Sequence, residues 1–127
     1  MKQFRWINDG LGWLVFFIAT TVYFLTLEPT ASWWDCGEYI ATAYKLQVGH
    51  PPGAPFFQMV GRFFSLFAFG DTSKVAMMIN AMSAISSSLT IMFLFWTITL
   101  LGRKLLPSED KMSTGQKIGL FGSALVG

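Results

Sequence analysis

Two stretches of the chain, residues 11–27 and 75–102, carry no Lys, Arg, Asp or Glu. A charge at mid-bilayer costs about 2.5–3.5 kcal/mol on insertion scales, so uncharged runs of this length read as membrane-spanning helices. The first is predicted over about residues 10–27, where Glu28-Pro29 stops it because proline disfavours helix in the residue before it. The second is predicted over about residues 74–102. Its 28 uncharged residues make about 42 Å of helix against a hydrocarbon core of about 30 Å, so it must tilt or protrude. Asp71, Thr72 and Ser73 supply an amino-terminal cap for it, and Arg103-Lys104 an anchoring charge at its other end.

Between these runs the apolar positions change period. Tyr39, Ile40, Ala43 and Leu46 recur at three- and four-residue spacing with Glu38, Thr42 and Lys45 on another face, which predicts an amphipathic helix over about 36–48, ended by Gly49. The turn His50-Pro51-Pro52-Gly53 forbids helix, and Pro55 suits the first position of a second one, over about 55–69. That second helix is apolar nearly all round, with Gln58, Arg62 and Ser65 as its polar stripe, and it is read as lying in the membrane interface. A third crossing is the rival reading; Arg62 at its middle and its short length count against it. Residues 103–117 form a polar connection, and residues 118–127 are apolar, as at the start of a third span that continues further.

Charge gives these elements an orientation. Lys2 and Arg5 precede the first span, while Arg103, Lys104, Lys111 and Lys117 follow the second, so the positive-inside rule places both flanks in the cytoplasm and residues 28–73 outside. Composition agrees with the bilayer as solvent: 53% of the residues are hydrophobic and 13% charged. A net charge of +2 without any basic run gives no sign of a nucleic-acid partner. Cys36 is the single cysteine, which rules out an intramolecular disulfide. A cleaved signal peptide is the alternative for the amino terminus, but 17 uncharged residues rich in bulky aromatics suit a retained helix better.

The candidate chemistry lies in the outer loop. Asp35 and Glu38 stand three apart, on one face of a first helical turn, beside Trp33 and Trp34 at the interface. A carboxylate there could take a proton from an acceptor hydroxyl. The same spacing also fits a capping box that only satisfies free backbone N–H groups, and the pair could hold a divalent cation if phosphate or water completed its shell. His50 sits on a rigid diproline turn where its imidazole could meet a phosphate, or the turn could be a hinge alone. Asn80, Ser83, Ser86, Ser87 and Ser88 give the second span a polar side suited to helix packing.

Taken together, "WWDCGEYIATAYKLQVGHPPGAPFF" resembles the first-loop signature of a family of bacterial multi-pass proteins long of unknown function and related to animal membrane protein O-mannosyltransferases. The matching pattern is Asp35-x-Gly37-Glu38, Ala43, Leu46, His50-Pro51-Pro52-Gly53-x-Pro55 and Asn80-x-x-Ser83-Ala84. The layout also resembles the wider GT-C superfamily, including lipid A aminoarabinose transferases. Those relatives usually have Glu directly after the Asp and often Lys where His50 stands.

The resemblance covers roughly residues 8–104 and implies an all-α integral membrane fold. Its parts would be a GT-C-like amino-terminal region with two complete transmembrane helices, two interfacial helices and the start of a third span. Asp35, with Glu38, would be the catalytic acid pair that activates a Ser or Thr hydroxyl, and His50, Trp34 and Arg62 would bind substrate or donor. The donor would be a polyprenyl-phosphate sugar, the acceptor a protein or glycan, and the outcome inversion. No metal is assigned apart from the possible divalent cation at Asp35 and Glu38. The implied location is a bacterial cytoplasmic membrane with the site facing the periplasm, among membrane lipid and possible further subunits. A non-catalytic subunit of a larger membrane assembly is the competing expectation.

Overall fold

The computed structural model describes residues 2–108 and 111–126; Gly127 and residues 109 and 110, assigned above to the third span and the polar connection, lie outside the described residues. All regular structure among the described residues is helical: α1 (Lys2–Leu25), α2 (Cys36–Lys45), α3 (Pro55–Ser65), α4 (Val75–Leu105) and α5 (Thr114–Val126). Two short 3-10 turns, Leu66–Ala68 and Thr72–Lys74, connect α3 to α4. The segments Phe4–Leu25 and Thr72–Leu105 are long and apolar enough to cross a membrane. Only a small share of either is buried within the chain, the reverse of a soluble protein's core helix and what a lipid solvent permits.

The helix ends depart from the sequence expectation at instructive places. α1 begins at Lys2 rather than near residue 10, running through Gly10 and Gly12. A Cβ on Gly12 would collide with the Trp96 indole, whose Nε1 donates to the Asn8 carbonyl at 3.2 Å, so glycine here admits a large ring against the backbone. α2 ends at Lys45, not at Gly49, because Leu46 itself takes the left-handed conformation (φ 50°) that closes the helix. α3 ends at Ser65, and Phe69 and Gly70 complete its exit at φ 50° and 86°. α5 starts at Thr114, earlier than expected, behind a reciprocal cap: Gln116 N donates to Ser113 Oγ at 3.2 Å and Ser113 N to Gln116 Oε1 at 2.9 Å.

The chain divides into two compact units, residues 1–22 with 87–127, and residues 23–86. In the first, Phe4 stacks on Phe121 at 5.2 Å, the Arg103 guanidinium lies 4.6 Å over the Phe4 ring, and Leu120 packs against Gly102. In the second, Ala43, Ala68, Val75, Ile79 and Met82 form a buried cluster flanked by Tyr44, Phe57, Val60 and Phe64. Gly61 makes this close: a Cβ there would sit 3.0 Å from that of Ala43, so α2 and α3 meet nearly backbone to backbone. α3 is consequently inside out. Gln58, Gly61 and Ser65 are buried, while Phe56, Met59 and Phe63 are 81%, 68% and 57% exposed. Its 11 residues measure about 16 Å, too short for a crossing. An apolar face turned outward on a short helix is the arrangement expected where the surroundings are lipid.

Candidate functional site

The Asp35–Glu38 spacing fits a working pair, a capping box or a divalent-cation site, and the geometry bears directly on the second. Asp35 is the N-cap residue of α2, yet its side chain makes no cap hydrogen bond. Glu38 does not reach back to the cap either. Both of its oxygens turn to the diproline turn, Oε1 accepting from His50 N at 2.8 Å and Oε2 lying 2.9 Å from His50 Nδ1. The capping box is therefore absent, and Glu38 instead latches α2 to the start of the next loop.

The turn is shaped to meet that latch. Gly53 N donates to the His50 carbonyl at 2.9 Å with Gly53 at φ 72°, a conformation glycine adopts freely. Pro55 then occupies the first turn of α3. Gly49 lies close beneath, where a Cβ would come within 3.3 Å of Glu38 Oε1. The Tyr39 ring fills the space behind, edge-on to His50 at 6.0 Å and to Phe57 at 5.6 Å. Sequence reasoning passed over Tyr39 and Gly49 as site residues; an aromatic one position after Glu38 and a glycine before His50 were the available signals.

The pair is exposed, with about two fifths of each side chain in contact with solvent. The hydrogen bond to His50 is the main cause that lowers the Glu38 carboxyl from its ordinary 4.5. The same bond, followed by the charge of Glu38, raises His50 from 6.5, with a smaller contribution from the Asp35 charge. Asp35, Glu38 and His50 each place a possible ligand atom within 4.8 Å of the others. Two carboxylates and an imidazole are a donor set that suits a divalent transition ion. Both Glu38 oxygens are already engaged, however, so a bound cation would compete with the latch.

Trp34 precedes the acid at φ 66°, a left-handed conformation that costs a bulky residue about 1–3 kcal/mol. Like Trp33, it is 92% exposed. Arg62 is not brought to this group. Its guanidinium donates to the Tyr44 carbonyl at 2.9 Å and lies 5.2 Å from the Tyr44 ring, at the opposite end of α2.

The sequence matches the family described as the protein O-mannosyl-transferase TMEM260 N-terminal domain over residues 35–127. The chain belongs to this family. Its match to the TMEM260 N-terminal domain starts at Asp35 itself and takes in Glu38, His50 and the helices around them. The chain is 37% identical over 87 residues to the protein O-mannosyl-transferase tmem260 of Dictyostelium discoideum, covering 68% of this chain and 11% of that protein. It is 34% identical over 85 residues to the protein O-mannosyl-transferase TMEM260 of Mus musculus, covering 66% and 12%. The chain thus spans roughly a tenth of the length of these curated TMEM260 relatives. No solved structure matches it.

Proposed function

We propose that the full-length protein is a GT-C-like, inverting membrane glycosyltransferase that moves a sugar, mannose by analogy with its named relatives, from a polyprenyl-phosphate carrier to a protein Ser or Thr hydroxyl. The carrying observation is the exposed Asp35 carboxylate, which stands at a helix start without serving as its cap and beside the Glu38–His50 pair. In this reading Asp35 accepts the acceptor's hydroxyl proton while the hydroxyl oxygen bonds to the anomeric carbon. The bond from that carbon to phosphate breaks, and its electron pair leaves with the polyprenyl phosphate. His50, favoured in its charged form by Glu38, faces the negative charge that develops there. Glu38 acts through His50, and Trp34 offers an aromatic face to the sugar or to lipid headgroups. Arg62 holds α2 instead of the donor.

The basic flanks at Lys2 and Arg5 and at Arg103 and Lys104 favour a site on the non-cytoplasmic face, which in a bacterium is the periplasmic side of the cytoplasmic membrane. The reading is tested with purified full-length protein, polyprenyl-phosphate mannose and a Ser/Thr peptide. The expected product is a mannosylated hydroxyl whose anomeric configuration, read from its NMR couplings, is opposite to the donor's. Retained configuration, or no transfer from a competent preparation, contradicts it.

A further inference from the structure

The backbone leading to Asp35 is not held by any helix of its own. Residues 27–33 have neither helix nor strand, and residues 28–35 are exposed throughout. A segment of that kind is expected to be the least stable part of its unit. It is nevertheless tied at one point to α4. Asn80 Nδ2 donates to the Glu28 carbonyl at 2.8 Å and to the Thr30 carbonyl at 3.0 Å, which uses both hydrogens of its amide. The Glu28 carboxylate closes the same turn from inside, accepting from Thr30 N at 3.1 Å and from Thr30 Oγ1 at 2.6 Å. An amide is a costly residue in a helix built to cross a membrane, and here its donors are spent on the chain that delivers the acid.

Asn80 and Ser83 also line an apolar cleft of about 360 Å³ with Cys36, Tyr39, Ile40 and Phe57. The α4 face that grips residues 28–30 is therefore the face over which α2 begins. We propose that Asn80 is a positioning residue for Asp35: its amide fixes the lead-in segment so that the N-cap carboxylate of α2 is presented at one place beside His50. The proposal rests on Asp35 acting as the base. The Asn80 amide bonds the Glu28 and Thr30 carbonyls and not Asp35 or His50, so its loss should misplace the acid and leave donor binding nearly intact.

Cys36, the neighbour of Asp35, is a built-in reporter. In full-length protein with any other cysteines replaced, the rate of maleimide labelling at Cys36 is compared among wild type, Asn80→Ala, Asn80→Asp, Asn80→Gln and Ser83→Ala, together with kcat and donor KM. Asn80→Asp keeps the side-chain volume and puts carboxylate oxygens, which repel the Glu28 and Thr30 carbonyls, where the amide donated, so it carries the test if the alanine variant folds poorly. Labelling is expected to rise at least threefold in Asn80→Ala and Asn80→Asp and to stay at the wild-type rate in Ser83→Ala. In the same two variants kcat should fall at least tenfold with donor KM within twofold, and Asn80→Gln, which keeps the amide, should recover part of both. Unchanged labelling would overturn the proposal, and so would faster labelling with unchanged kcat. Failure of Asp35 as the base would show separately, as full turnover in Asp35→Asn, whatever Cys36 reports.

Discussion

The two ends of α2 are finished in opposite ways. At the carboxyl end the backbone is closed by local means: Leu46 turns left-handed, Leu46 N reaches the Ala43 carbonyl at 3.3 Å, and Gln47 N reaches that of Thr42 at 2.9 Å. Arg62 adds a bond from α3 to the Tyr44 carbonyl. At the amino end the residue best suited to cap the helix does not cap it, and the acid three residues on serves the next loop. The stability of the helix is thus secured at one end, while the other gives up a local stabilising contact and keeps a carboxylate at the surface. A broken local rule with no local compensation is where function is expected.

Breaking each end separately should give different signatures. A large effect is expected at the amino end, where His50→Gln should lower kcat about a hundredfold, the usual cost of losing one stabilising group at a developing anion. Its thermal midpoint should hardly move, since the side chain is exposed. A turnover within threefold of wild type would remove His50 from the mechanism.

How much of this contrast the sequence disclosed depends on range. The charge-free runs and the three- and four-residue periods marked the helices, because those signals are local. The spacing of Asp35 and Glu38 fitted a cap, and it could not show that His50, twelve residues away, would win the Glu38 carboxylate. Likewise, Gly49 looked like the end of α2, whereas Leu46, at φ 50°, ends it. The Ser113–Gln116 cap is legible as S-x-x-Q within the polar connection. The place of Gly12 in α1 meets Trp96, distant in sequence.

At the closed end, Gly61→Val should press a branched side chain onto Ala43 and destabilise the unit by about 1–3 kcal/mol. A shifted midpoint in thermal unfolding, with kcat per folded molecule retained, is the expected pattern. Arg62→Met should cost less, about 1 kcal/mol, seen as faster amide exchange in the last turn of α2. If donor KM rose tenfold in that variant, Arg62 would be a donor ligand after all.

The smallest effect is in the latch and follows pH. Glu38 is lowered from 4.5, so its contribution is present above that value and is lost as pH falls through the lowered one. His50 is raised from 6.5, so its contribution is complete below 6.5 and is lost as pH rises through the raised value. The latch is therefore tightest between about pH 4.5 and 6.5. NMR titration of the His50 ring should show its pKa return toward 6.5 in Glu38→Gln; an unchanged titration would mean that the bond does not persist in solution.

The most direct measurement replaces the acid at the N-cap position with a neutral residue of equal capping preference. Asp35→Ser offers a hydroxyl suited to the N-cap, and the full-length variant should keep or slightly raise its thermal midpoint while kcat for sugar transfer falls at least a hundredfold. Transfer at the wild-type rate in a folded Asp35→Ser protein would contradict the assignment of Asp35 as the working carboxylate.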